Sequence, residues 1–234
     1  MRASRAIPRR RWLQGTACAS LLAVVLALPA GATELRLQVS AAGKPVDAAV
    51  VSLHSAAAAA AVKPGQAVID QRNTQFVPRV SVITTGTRVV FPNSDNVRHQ
   101  VYSFSPAKRF ELPLYSGRTA PPVTFDTPGV VVLGCNIHDW MLAYVVVLDT
   151  PYSAMTGSDG QARLDAPAGT YTLRVWHPDI RGKQPLERQI TLGSTPASTA
   201  VALDLAPPQA APAAPADDRL RALQEKLRKL KEGG

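Results

Sequence analysis

The residues of this sequence best suited to chemistry are a cysteine, a histidine and a methionine on one short segment. Cys135, His138 and Met141 form a C-x2-H-x2-M array between two apolar runs that predict strands. A thiolate and a thioether are soft ligands that suit Cu(I), and an imidazole suits both oxidation states of copper. The array therefore predicts a copper site that needs a second imidazole. The candidates are the histidines at positions 54, 99 and 177.

Other chemistries fit the array less well. A nucleophilic cysteine needs a low pKa and a neighbouring base, and Cys135 is predicted in a loop between strands, not on a helix. Zinc rarely takes a methionine ligand such as Met141. A binuclear copper centre needs two cysteines. A buried structural thiol stays an alternative for Cys135 considered alone, as does a plain core position for Met141.

The segment before His99 resembles the cupredoxin family of blue copper proteins. Val89, Phe91 and Asn93 form the Val-x-Phe-x-Asn run that precedes the first ligand histidine of plastocyanins and pseudoazurins. The match covers about residues 64 to 150, and the C-x2-H-x2-M spacing is most similar to amicyanin, the cupredoxin of methylamine oxidation. The resemblance implies a Greek-key β-sandwich.

The same resemblance implies one type 1 copper ion. His99, Cys135 and His138 would form a trigonal plane, with Met141 as the weak axial ligand. Such a site relays single electrons without catalysis, and the family's partners are a periplasmic dehydrogenase as donor and a c-type cytochrome as acceptor. We therefore expect an electron carrier and no enzyme.

Three positions depart from the family pattern. The family has Asn after the first histidine, where this chain has Gln100; an aromatic residue before the cysteine, where it has Gly134; and Pro before the second histidine, where it has Ile137. The four ligands are all present. The departure at Gln100 leaves the hydrogen bond that supports the first histidine unassigned.

The first 32 residues predict a secretory signal peptide. Five arginines precede an apolar run from Leu21 to Leu28, and Ala30-Gly31-Ala32 fits an A-x-A cleavage site. The run is shorter than the roughly 20 residues that span a bilayer, so no membrane span is expected in the mature protein. Arg10-Arg11 loosely resembles a twin-arginine signal, and Sec export stays an alternative. The predicted location is the periplasm.

Removal of the signal peptide changes both the charge and the cysteine count. Loss of its five arginines lowers the formal net charge from +9 to +4, and loss of Cys18 leaves Cys135 as the one thiol. A single cysteine in an oxidising compartment favours a buried or metal-bound thiol. The mature chain has no Lys/Arg stripe interleaved with aromatic residues, so we expect no nucleic-acid partner.

Short apolar runs broken by Gly, Pro, Asn and Asp predict an all-β protein between residues 34 and 205. The 46% hydrophobic composition suffices for a packed core. A helical turn or linker is predicted at 56–61, and His54 and His177 are expected as solvated residues at strand edges. The predicted strands are 34–39, 48–53, 80–83, 87–91, 99–104, 123–125, 130–133, 142–148, 161–164, 170–176, 186–192 and 199–205.

A second module surrounds the cupredoxin-like segment. The run from Thr156 to Val175 contains P-x-G-x-Y-x-L-x-V and resembles the carboxypeptidase regulatory-like or transthyretin-like β-sandwich. That family opens with a strand like the one around Val50. We therefore predict that 33–62 and 151–206 form one small sandwich, with the cupredoxin domain at 64–150 inserted between them.

The C-terminal end predicts a spacer and a helix. Residues 207–216 are almost entirely Pro and Ala, which favours a stiff extended linker. Residues 217–234 place four leucines on a heptad seam, with acids near the start and bases near the end. Two alternatives stay open for this helix, a solvated tail and weak self-association as a coiled coil.

Two other functions stay open beside electron transfer. A periplasmic copper-storage or copper-delivery protein would use the same ligands with fast exchange of the ion. A structural or carbohydrate-binding β-sandwich would carry only a vestigial site. The visible spectrum of the copper-loaded protein separates these alternatives.

Overall fold

The computed structural model describes residues 31–117 and 120–207, and they form an almost entirely β structure with several sheets. The all-β prediction is confirmed. The predicted signal peptide falls outside the described residues up to position 30, as do the helix at 217–234 and all of the linker except Pro207. The elements in chain order are β1 (Ala32–Ala41), β2 (Lys44–Pro45), β3 (Val50–His54), α1 (Ala56–Ala60), β4 (Gln66–Val68), β5 (Asp70–Arg72), β6 (Gln75–Val77), β7 (Val80–Thr84), β8 (Thr87–Val90), β9 (His99–Ser105), β10 (Lys108–Tyr115), β11 (Val123–Phe125), β12 (Gly129–Gly134), β13 (Leu142–Leu148), β14 (Ser153–Met155), β15 (Gln161–Pro167), β16 (Gly169–Trp176), β17 (Leu186–Leu192) and β18 (Ala197–Ala202).

The strands from the two ends of the described chain pair with each other, and we call this part the outer sandwich. One sheet has the order β15-β1-β18, with β2 added to β1, and the other has the order β14-β3-β16-β17. In β1, Leu35, Leu37 and Val39 are buried while alternate residues are more exposed, as a strand with one buried face requires. Both sheets contribute to a single apolar core.

The strands between them, β4 to β13, form what we call the inner lobe. Its sheets are β10-β9-β12-β13-β7, β11-β8-β4 and the pair β5-β6. A second apolar core lies here and includes Phe91, Phe125 and Leu133. Cys135 and Met141 belong to this same core.

The strand β13 is buried on both of its faces. Val145 and Val147 lie in the core of the inner lobe, whereas Val146 and Leu148 lie in the core of the outer sandwich. Successive side chains of a strand point to opposite sides, so one strand can serve two cores. This explains why β13 is a continuous apolar run rather than an alternating one.

The alanine-rich segment after β3 is a short helix. Ser55 caps it, since its hydroxyl accepts a hydrogen bond of 3.1 Å from the amide of Ala58. Ala58 is buried against the outer core. The helix thus lies between β3 of the outer sandwich and β4, the first strand of the inner lobe.

Candidate metal centre

His99 is held rigidly at the start of β9. It is fully buried, and its Nε2–H donates to Asp95 Oδ2 at 2.8 Å. A carboxylate can only accept, so this contact assigns the proton to Nε2 and leaves the Nδ1 lone pair free. Asp95 in turn accepts from the backbone amides of Asn73 at 2.6 Å and Thr74 at 2.9 Å. The orientation of the His99 ring is therefore fixed by Asp95, whose own position is held by two backbone hydrogen bonds.

The charge on Asp95 is favoured by these contacts. Burial acts to raise the pKa of Asp95, but the hydrogen bonds from Thr74, His99 and Asn73 outweigh it and lower the pKa below its usual value. Asp95 is thus an ionised acceptor at neutral pH, which is the form that orients a ligand histidine.

A network of polar side chains fixes the turn between β8 and β9. Asn93 Nδ2 donates to Val97 O at 2.8 Å and to Tyr115 O at 2.9 Å, and Asn93 Oδ1 accepts from the amide of Asp95. Tyr115 donates to Phe91 O and accepts from Gln71 Nε2. Burial raises the pKa of Tyr115 to about 12, so its hydroxyl keeps its proton.

The predicted ligand loop connects β12 and β13. Cys135 follows the end of β12 and is 2% exposed, and the amide of Met141 donates to His138 O at 2.9 Å to close the loop. His138 is partly exposed at the surface of this loop. Its pKa is lowered, first by burial and then by the neighbouring His99, which favours the neutral imidazole that metals bind.

The structure brings three of the four predicted site residues together. His99 Nδ1 lies 3.1 Å from His138 Nδ1, and Cys135 Sγ lies 3.9 Å from the same nitrogen. The candidate ligand atoms of these three residues all lie within 4.8 Å of one another. Met141, the fourth, is 2% exposed and packs in the same core as Cys135.

These separations suit a single soft metal ion. Bonds of about 2.0 Å to imidazole nitrogen and about 2.3 Å to thiolate sulfur allow two donors to be up to about 4 Å apart around one centre. Both separations from His138 Nδ1 lie within that limit, and all three ligand atoms lie within 4.8 Å of one another. Two imidazoles and one thiolate, with a thioether buried in the same core, are a donor set that favours copper over zinc. The residues present therefore fit a copper ion.

The residue that supports His99 was not predicted from the sequence. Gln100 bonds to Glu111 on the exposed face at 2.6 Å, so it does not brace the centre. Asp95 does so instead, from four residues before His99. The sequence does contain an acidic residue a few positions before His99, in a predicted turn. Only the folded turn shows that the carboxylate of this residue contacts the His99 ring.

Trp140 packs against the partly exposed His138. The His138 and Trp140 rings lie 5.1 Å apart edge to face, and Trp140 Nε1 donates to Thr74 Oγ1 at 3.4 Å. Ile137 is 48% exposed and Val97 is also 48% exposed. An aromatic ring and an exposed apolar residue thus lie next to His138 in the loop, together with the exposed polar residues Asn136 and Asp139.

The expectation that His54 and His177 are solvated is wrong. Their side chains are only 10% and 14% exposed, respectively. His54 is held between Ser52 and Asp149, and His177 accepts a hydrogen bond from the amide of Asp179. Both are neighbours of the outer core rather than of the candidate metal centre, and the alternation of the sequence alone did not reveal their polar partners.

Comparison with known proteins gives structural neighbours only. No family model and no curated protein matches the chain. A Cu-containing nitrite reductase (NirK) from Thermus scotoductus SA-01 is 26% identical over 37% of this chain, with a TM-score of 0.34, and the chain spans 23% of that protein. A purple cupredoxin from Nitrosopumilus maritimus is 24% identical over 35% of this chain and 99% of its own, with a TM-score of 0.32.

An amicyanin is a further neighbour. The reduced Cu(I) form of an amicyanin variant is 24% identical over 42% of this chain and 98% of its own, with a TM-score of 0.33. Separately, no helix among the described residues is long and apolar enough to cross a membrane.

Proposed function

We propose that the protein is a periplasmic type 1 copper protein that transfers single electrons. The convergence of His99, Cys135 and His138 donor atoms within 4.8 Å carries this proposal. Met141 would supply the weak axial donor. Bound copper would supply reversible one-electron chemistry between Cu(I) and Cu(II).

The protein's own residues would keep the site the same in both oxidation states. Asp95 fixes the His99 ring, the Asn93 and Tyr115 hydrogen bonds fix the turn before it, and burial of Cys135 excludes water from the thiolate. A site that is fixed before the electron arrives needs little rearrangement on transfer.

The partly exposed His138 edge would be the route by which electrons enter and leave. Trp140 against its ring and the exposed Ile137 beside it suit the small, transient contacts of redox encounters. We propose a dehydrogenase as donor and a c-type cytochrome as acceptor. Storage or delivery of copper is the competing function, and it needs an ion that exchanges rapidly.

Copper loading of the mature protein tests the proposal. We expect one Cu(II) per chain and an intense thiolate-to-copper absorption band in the visible, because a thiolate bound to Cu(II) gives a strong charge-transfer transition. Cys135→Ser should abolish the band. His177→Gln is the matched control, since His177 lies away from the centre, and it should leave the band unchanged.

Two results would count against electron transfer. Absence of a visible band at full copper occupancy would remove the type 1 assignment. A band that disappears within seconds of adding a competing chelator would favour storage or delivery instead.

A further inference from the structure

A second polar site lies between the outer sandwich and the inner lobe. A cleft of about 410 Å³ opens there, between β3 and β16 on one side and β12 and β13 on the other. Its wall includes Val50, Trp176, Val146 and Leu148, which are buried apolar residues. Clefts at the junction of two packed units are common places for small-molecule sites.

Three side chains in this cleft form a hydrogen-bonded chain. Ser52 Oγ lies 2.8 Å from His54 Nε2, and His54 Nδ1 lies 2.7 Å from Asp149 Oδ1. Ser52 and His54 are two positions apart on β3, so they share one face of the sheet. Asp149 reaches them from the residue after β13.

The proton positions in this chain follow from the donors. The carboxylate of Asp149 only accepts, so His54 Nδ1 carries the hydrogen and Nε2 accepts the hydroxyl proton of Ser52. Burial first, and then the positive charge of Arg174, lower the pKa of His54, although the pairing with Asp149 and the charge of Glu187 act to raise it. The imidazole is thus neutral and able to take a proton at neutral pH.

The positively charged Arg174 lies beside Ser52. Arg174 is the Cα partner of Ser52 across β3 and β16, so the two side chains emerge next to each other on the same face. Arg174 also lines the cleft, and its Nε donates to Glu187 Oε1 at 2.7 Å. A guanidinium in this position can stabilise an oxyanion that forms next to Ser52.

We propose that Ser52, His54 and Asp149 form a nucleophile, base and positioning acid that hydrolyse short-chain carboxylic esters in this cleft. The order of groups and their distances match what a serine nucleophile requires, whatever the fold. Ser52 is only 2% exposed but lines the cleft, so an ester would have to approach it from there. The apolar wall would contact the acyl group of that ester.

The reaction needs no reagent beyond water. Ser52 Oγ forms a bond to the ester carbonyl carbon while its proton passes to His54 Nε2, and the ester C–O bond then breaks as that proton goes to the leaving alkoxide. Water, deprotonated by His54, attacks the acyl-serine. The products are a carboxylic acid, an alcohol and the restored hydroxyl.

Covalent labelling tests the proposal directly on the wild-type protein. We expect a small fluorophosphonate to add one phosphonyl group per chain, located by peptide mass spectrometry on Ser52. The protein should also hydrolyse p-nitrophenyl acetate, with a rate that rises with pH as His54 loses its proton. Both assays are run on metal-free and copper-loaded protein, so that hydrolysis by bound copper is separated from the cleft.

Variants then assign the activity to the cleft. Ser52→Ala should lose the label and at least about 100-fold of the hydrolysis rate. Ser153→Ala is the matched control, because Ser153 is the Cα partner of Ser52 on β14 and should keep both. An unlabelled Ser52 in the wild-type protein, or equal hydrolysis by wild type and Ser52→Ala, would overturn the proposal and leave the three residues as a structural link between the two parts.

Discussion

Among individual residues, the sequence predicts four candidate ligands, of which the structure brings His99, Cys135 and His138 together, but it does not predict what supports His99. The sequence spacing alone brought Cys135, His138 and Met141 onto one loop, and the family resemblance added His99. Asp95 was missed because its role depends on a turn that folds its carboxylate back onto the ring at 2.8 Å. Hydrogen bonds of this kind join residues by tertiary geometry and leave no periodic signal in the sequence.

Replacement of Asp95 by asparagine tests this support. Asp95→Asn keeps the size of the side chain but removes the charge that holds the His99 N–H, and we expect copper affinity to fall by about 10- to 100-fold. Competition with a chelator of known affinity measures the change. Asp126→Asn, at an exposed position, is the control. Equal affinity in both variants would show that Asp95 does not orient the ligand.

Among the strands, most of those that the sequence revealed have a buried face, although the edge strand β17 was also predicted, at 186–192, with mostly exposed residues. The prediction of 142–148 coincides with β13, and that of 170–176 falls within β16. The long edge strand β10 was missed, and it carries charged residues such as Arg109 and Glu111 on exposed positions. It also contains Pro113, next to a shift in register against β9.

The two-sided burial of β13 gives a prediction for its valines. Val145→Ala and Val146→Ala should each lower the free energy of unfolding by about 2 kcal/mol, because each removes buried methyl groups, though from different cores. Urea denaturation measures the loss. Val132→Ala on β12, whose side chain is 39% exposed, should change it by less than about 0.5 kcal/mol. A lower free energy of unfolding in only one of the two variants would contradict the conclusion that β13 contributes to both cores.

For the protein as a unit, the titration of buried histidines links the free energy of unfolding to pH. The pKa values of His54, His138 and His177 are all lowered, with burial as the largest cause in each. In the unfolded chain the same imidazoles have a pKa of about 6.5. As the pH falls below that value, the unfolded chain takes up protons first, so stability is lost toward acid.

The metal-free protein should therefore be less stable at pH 5 than at pH 7. Urea midpoints at the two pH values measure the difference. His177→Gln removes one of the three groups and should reduce the loss. A midpoint that stays constant or rises on acidification would show that folding does not lower the pKa of these imidazoles.

The pairing of β1 affects the order in which the two parts of the protein can fold during synthesis. Its long partners are β15 and β18, and β3 likewise pairs with β14 and β16, all of which lie beyond residue 150. During synthesis the N-terminal strands must wait for these late segments, whereas every strand from β4 to β13 already has its neighbours. The inner lobe, which carries Cys135, is thus fully translated before the sheets of the outer sandwich can form. Once they have formed, both ends of the inner lobe are connected to strands of the outer sandwich.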